Sequence, residues 1–273
     1  MNIKRVLTTI IGLPIIIAIL VLADTLLIDI IVSIVACIAI YEYTKAASKE
    51  AKVIAWIPYL LAIGICFLHT SMFENVVEYI SLIGIPLILM ILFLHVIISN
   101  MKITFKDISY TLIGTLYIIG FIIFIPLTFG LKGEISGKVL IWYIFISAWA
   151  TDIFAYLIGK HFGKHKFSKV SPNKTIEGCV AGIIATMIIS LIFTYFINQY
   201  MAYEISYLLV SVMSIILSVA GQIGDFSASV IKRHFEIKDY SNLFPGHGGM
   251  LDRIDSLMFI APFAYFIFKL FII

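Results

Sequence analysis

Charged side chains are scarce in this sequence, 13% of its 273 residues against 62% hydrophobic. With a mean hydropathy of +1.09, that scarcity excludes a water-soluble core and indicates a polytopic membrane protein. Cysteine is rare as well. Cys37, Cys66 and Cys179 are odd in number and far apart, so neither a disulfide framework nor a cysteine metal site is expected. Low-complexity tracts, internal repeats and the alternating pattern of outer-membrane strands are also missing. A helical bundle is what remains.

A membrane-spanning helix needs about 20 mainly apolar residues. Nine stretches qualify: 6–23, 26–43, 53–71, 79–98, 108–128, 138–158, 177–199, 205–228 and 256–273. The expected fold class is therefore all-α, a transmembrane bundle of about nine spans. Under this map, all but three of the 19 Lys and Arg residues fall at the amino terminus or in loops after even-numbered spans; the exceptions are Lys132, Lys138 and Lys269. Cytoplasmic loops carry the positive charge, which puts the amino terminus inside, the carboxyl terminus outside and the charged loops in the cytoplasm. Lys4-Arg5 ahead of an apolar run resembles a signal peptide, but the run exceeds the roughly 7–15 residues of a signal core. The first span is expected to stay, bent where Gly12 and Pro14 interrupt it.

Residues 1–137 supply five spans whose polar residues read as interface dressing; residues 138–273 form the expected catalytic region. The loop at 159–178, GKHFGKHKFSKVSPNKTIEG, combines five lysines with glycines and hydroxyls, a surface suited to phosphate. By itself it reads first as a merely basic cytoplasmic loop. Gly159 and Gly163 lack P-loop spacing, and His161 with His165 lacks the glutamate of a zinc protease helix. Helix capping alone would account for Thr175 and Glu177.

Asp29, Asp152 and Asp225 interrupt sequence that otherwise suits hydrocarbon, where an unpaired acid costs at least about 2–3 kcal/mol. A snorkelled or an interhelical hydrogen-bonding residue is the expectation for Asp29. Asp152 precedes Lys160 by two helical turns and can face the same cavity as the lysines. Asp225, Ser229 and Lys232 follow an i, i+4, i+7 spacing and share one helical face, with Gly221 and Gly224 allowing a close backbone or ligand approach.

The passage IKRHFEIKDYSNLFPGHGGMLDRID, residues 231–255, gathers Lys232, Arg233, Lys238 and Arg253 against Glu236, Asp239, Asp252 and Asp255. Its Phe244-Pro245-Gly246-His247-Gly248-Gly249 run cannot be regular helix and predicts a tight turn with exposed N–H groups. Asp225 and Asp252 are the expected pair of magnesium ligands, since magnesium bound with nucleotide phosphates typically takes one or two carboxylates and several waters. The charge balance suits a metal–polyphosphate pocket at the membrane surface, with a lipid as one substrate.

The run Ser229-x-Ile231-Lys232-Arg233, Lys238-Asp239-x-Ser241, Phe244-Pro245-x-His247-Gly248-Gly249-Met250-x-Asp252-Arg253-Ile254-Asp255 resembles the signature of the phosphatidate cytidylyltransferases. Asp152-x-x-Ala155-Tyr156 and Ser171-Pro172-Asn173-Lys174-Thr175-x-Glu177-Gly178 extend the resemblance, with Asn173 standing where a lysine is commoner. It implies condensation of CTP with phosphatidic acid to CDP-diacylglycerol and pyrophosphate in the cell membrane, with Mg2+ and optionally a monovalent cation. No nucleic-acid partner is implied; a homodimer is. Asp225 and Asp252 would hold the metal, and Lys232, Arg233, Lys238 and Arg253 the phosphates. Ser171, Lys174 and Thr175 would form a second phosphate-facing wall, with Asp152 and Asp255 orienting cations or metal water, Ser229 substrate-binding on the Asp225 face, and His247 either donating to phosphate or holding its glycine turn. A transporter is disfavoured because the polar residues crowd one side. A lipid kinase or archaeal-type CDP-lipid synthase shares the substrate classes and is separable by its product.

Overall fold

The computed structural model describes residues 3–70, 77–168, 170–200 and 204–273. Ten helices account for about three quarters of it: α1 (Ile3–Leu22), α2 (Thr25–Ala47), α3 (Trp56–Ile65), α4 (Val77–Ile98), α5 (Phe105–Ile122), α6 (Phe124–Phe129), α7 (Gly137–Phe162), α8 (Ile176–Tyr200), α9 (Tyr207–His234) and α10 (Leu251–Phe271). Among the described residues the only strand-like pairings are two isolated bridges, Lys166 with Thr175 and Phe244 with Gly248. The all-α membrane bundle expected from composition is what forms. Each of the nine apolar stretches contains helix, and among the described residues six helical segments are long and apolar enough to cross a bilayer.

Two stretches differ in detail. The 108–128 stretch divides into α5 and α6 at Ile123, ahead of Pro126, which has no N–H to continue the helical ladder. The 53–71 stretch yields only the ten-residue α3, followed by turns. Past Ile65 the N–H groups of Cys66, Phe67 and Leu68 turn to carbonyls three residues back, and His69 is then held by Asp29, fully buried on α2, whose carboxylate accepts the His69 backbone N–H at 3.1 Å and lies 2.9 Å from the ring Nδ1. An N–H engaged by a side chain is not available to extend a helix. The expected interhelical role of Asp29 is thus filled by a loop residue.

The chain divides into two compact units. The first comprises residues 1–126 and 235–253. Its α2 packs on α3 and α5, and the Tyr43 ring occupies the space a Cβ at Gly114 would need while its hydroxyl donates to the Tyr110 carbonyl at 3.0 Å. The segment before α3 is fastened to α5, where Asp107 accepts the Lys52 N–H at 2.6 Å and the Thr111 hydroxyl accepts that of Ile54 at 2.9 Å. Ile54, Ile57, Leu92 and Ile108 close an apolar cluster over these bonds.

The second unit comprises residues 127–234 and 254–273. Glycines set its spacing: a Cβ at Gly178 would stand 2.5 Å from the Ala155 carbonyl oxygen, and one at Gly182 2.9 Å from that of Thr151. Backbones of α7 and α8 therefore approach closely, the small-residue packing typical of membrane helices. The buried Thr151 hydroxyl then joins three helices, lying 2.8 Å from Thr186 on α8 and 2.7 Å from Ser218 on α9. These bonds fix the rotation of each helix and so decide which residues face the loop between α7 and α8.

Candidate active site

In the second unit the loop from Gly163 to Thr175 folds back on itself. Phe167 N–H donates to the Lys174 carbonyl and Ile176 N–H to that of His165, each at 3.0 Å, and Lys174 N–H donates to the Ser171 carbonyl at 3.1 Å. Thr175 accepts the Gly178 N–H at 3.2 Å, the N-cap role its sequence position predicts. Glu177 reaches back to His165, whose Nδ1 lies 2.6 Å from the carboxylate. Both ends of the loop are thereby fixed.

The fold-back delivers Lys174 to Asp225. Its ammonium forms an ion pair with that carboxylate and lies 4.6 Å from the centroid of the Phe226 ring, a cation–π contact. Phe226 in turn stacks on Phe167, with ring centroids 4.7 Å apart. Burial pushes the Lys174 ammonium below its ordinary pKa, the Asp152 and Asp255 carboxylates oppose that shift, and Lys232 adds to it. Asp225 is therefore the ion-pair partner of this amine, and Asp152, Asp255 and Lys232 act on it electrostatically. Gly224 explains how Asp255 arrives: a Cβ there would stand 2.5 Å from the Asp255 carbonyl oxygen, so α9 and α10 touch through backbone. Ser229 lies one turn beyond Asp225 on α9, and Arg233 is exposed at its end.

Beside this cluster runs an apolar groove of about 510 Å³, lined among others by Phe167, Val180, Ile183, Val219, Ile223 and Phe226. Phe167 and Phe226 belong to both, one aromatic pair serving as groove wall and as the surface under the ammonium.

In the first unit the turn at Phe244–Gly248 closes through Phe244 N–H to the Gly248 carbonyl at 2.9 Å and His247 N–H to the Phe244 carbonyl at 2.8 Å. Gly246 and Gly248 sit at φ +81° and +85°, a backbone region that side chains disfavour. A cavity of about 320 Å³ opens beside the turn, with Lys238, Asp239, His247 and Arg253 in its wall. Asp252, in the first turn of α10, accepts the N–H groups of Tyr240 at 3.0 Å and Gly249 at 2.9 Å.

Sequence reasoning missed Glu42. This α2 carboxylate accepts from the Ser241 hydroxyl at 2.5 Å, from Met250 N–H at 2.9 Å and from Leu251 N–H at 2.8 Å. An acid near the end of an expected span reads as interface dressing, and the one available signal was the cost of burying it.

The metal question turns on donor chemistry. Among the described residues, no three His, Cys, Asp or Glu groups converge closely enough to hold an ion. The donors present are nevertheless carboxylate oxygens, which suit a hard divalent cation, and in the second unit a single ammonium pairs with Asp225 while Asp152 and Asp255 act on it electrostatically, which leaves negative charge for a cation to meet. The residues fit a divalent ion that enters with phosphate.

Comparison with known proteins agrees with this chemistry. The sequence model of the Cytidylyltransferase family matches residues 3–271. A phosphatidate cytidylyltransferase of Staphylococcus aureus (strain COL) is 34% identical over 264 residues, 94% of this chain and 95% of that one. The corresponding proteins of Staphylococcus haemolyticus and Bacillus subtilis (strain 168) are 35% and 37% identical, over 94% and 67% of this chain and 95% and 66% of theirs. A membrane bundle that gathers acids and cations beside an apolar groove, matched along almost its whole length, is thereby identified: the chain belongs to the cytidylyltransferase family and is a CTP-dependent nucleotidyltransferase.

Proposed function

We propose that this protein condenses CTP with phosphatidic acid to give CDP-diacylglycerol and pyrophosphate at the cytoplasmic face of the cell membrane. The observation that carries the reading is the position of Lys174, whose ammonium rests on the Phe226 ring that also lines the apolar groove. A lipid lying with an acyl chain in that groove brings its phosphate to the ammonium. Orientation rests on the distribution of Lys and Arg between the loops.

The lipid phosphate is already anionic and needs no general base. One of its oxygens forms a bond to the α-phosphorus of CTP while the bond from that phosphorus to the bridging oxygen breaks, and pyrophosphate leaves with the electron pair. The protein aligns and neutralises. Lys174 meets the lipid phosphate, with Ser171 and Thr175 bounding the same wall. Lys232 and Arg233 at the end of α9, with Lys238, His247 and Arg253 around the cavity, receive the triphosphate and the departing pyrophosphate. Asp225 and Asp252 would hold the divalent ion, which when bound would supply charge screening between the two phosphate substrates. Asp152 and Asp255 keep Lys174 oriented, and Ser229 lies between Asp225 and Lys232.

Membranes containing the full chain, given labelled CTP, phosphatidic acid and Mg2+, are expected to form chloroform-extractable label that requires phosphatidic acid and is lost with Asp252→Asn. CTP left unconsumed by folded protein with both substrates delivered would overturn the reaction; label formed at the normal rate by Asp252→Asn would overturn the metal assignment.

A further inference from the structure

Glu42 lies outside every motif above, yet it is 1% exposed and contacts the turn and helix start on which the reaction depends. Its two oxygens accept one hydroxyl and two main-chain donors from residues 241–251. Met250 and Leu251 are at the start of α10, where N–H groups have no partner within the helix. Anions are favoured at such a terminus, and in this protein the anion is built in. Ser241 passes the contact on, since its hydroxyl also accepts the Leu243 N–H at 3.2 Å.

Gly249 shows how closely the contact is made. A Cβ there would stand 2.5 Å from one Glu42 oxygen and 2.7 Å from the other, so any side chain at this position would displace the carboxylate. The N–H of the same residue donates to Asp252. Gly249 is therefore held between two carboxylates, one from α2 and one from α10. The neighbouring Gly248 lines the cavity that Lys238, His247 and Arg253 share.

We infer that Glu42 is a positioning residue for the nucleotide: from α2 it fixes the 241–251 segment, so that Lys238, His247 and Arg253 keep one arrangement toward a triphosphate. The inference rests on the reading, given above, that this segment receives CTP. Glu42 does not touch the reacting atoms. Its removal loosens the cavity and leaves the Lys174 cluster of the other unit untouched.

The test compares full-length Glu42→Gln and Glu42→Ala with Asp252→Asn in lipid nanodiscs, measuring the KM of each substrate beside the thermal midpoint. Glutamine keeps the shape but turns one acceptor into a donor that faces an N–H or hydroxyl. The CTP KM of Glu42→Gln is expected to rise about tenfold, the equivalent of one charge-assisted hydrogen bond, with more for Glu42→Ala and a phosphatidic acid KM within about twofold of the parent. A merely structural role would reduce the amount of active enzyme and lower Vmax, leaving both KM values in place. Should Glu42→Ala fail to fold, Glu42→Gln decides. Folded Glu42→Gln with an unchanged CTP KM, beside an inactive Asp252→Asn, overturns the positioning role alone. An active Asp252→Asn instead removes the reading of the segment on which the inference stands.

Discussion

The acids of the two units are answered by different partners. In the unit of residues 127–234 and 254–273, Asp225 meets a lysine ammonium, and Asp152 and Asp255 act on the same charge. In the unit of residues 1–126 and 235–253, the buried acids Asp29, Glu42, Asp107 and Asp252 each accept main-chain N–H groups, from His69, from Met250 and Leu251, from Lys52, and from Tyr240 and Gly249. A main-chain donor cannot leave without unfolding its loop. A lysine side chain can turn toward a phosphate and hand its carboxylate to a metal ion. One unit uses its buried acids to fix loops; the other fixes a loop with Glu177 and, beside it, keeps Asp225 paired with an exchangeable ammonium.

Breaking the exchangeable pair gives the largest effect. Asp225→Asn is expected to lower turnover by about a thousandfold, the upper range for loss of one preorganised electrostatic group, with membrane insertion intact; near-normal CTP turnover would remove Asp225 from the metal site. Lys174→Ala follows, at about a hundredfold, and Lys174→Arg sharpens the point through pH. Because burial lowers the Lys174 pKa below 10.5, the native state holds fewer protons there than the unfolded chain in the window just under that value. Stability from this group therefore rises with pH through the window, while ammonium-dependent phosphate binding falls. The alkaline limb of kcat/KM is expected below pH 10.5 and should move upward in Lys174→Arg; an unmoved limb would detach it from Lys174.

The loop-fixing acids predict the reverse pattern. Asp107→Asn should cost about 1–3 kcal/mol of stability, read as a lower thermal midpoint, with kcat within about twofold of the parent. A selective loss of kcat would erase the distinction between the units. The smallest effect belongs to Asp24, which caps α2 by accepting the Leu27 N–H at 2.8 Å. Asp24→Ala is expected to cost about 1 kcal/mol with no kinetic consequence, measured by the same thermal scan.

Much of this was legible from local pattern. Apolar runs set the helices, because hydrocarbon solvent leaves a backbone few alternatives. The turn at 244–249 followed from its glycines and proline, and the Asp225, Ser229, Lys232 face from helical spacing. Contacts between distant residues were not legible. Nothing near Asp29 in sequence announces His69, so α3 was expected to be longer than it is. Glu42 has partners 199, 208 and 209 residues away, and no periodicity reports such a separation. The Lys174–Asp225 pair lay between, since both residues were selected but their meeting depends on a loop that folds back.

Those long separations bear on how the protein is made. The second helix leaves the ribosome carrying a carboxylate whose partners will not exist until some two hundred further residues have been translated. Until α10 inserts, Glu42 is a membrane acid without its donors, a penalty of about 2–3 kcal/mol where it lies in hydrocarbon. A nascent chain that stalls or mis-threads before residue 251 retains that penalty, and a complete one sheds it. Insertion of α10 thus separates a chain that has satisfied Glu42 from one that has not.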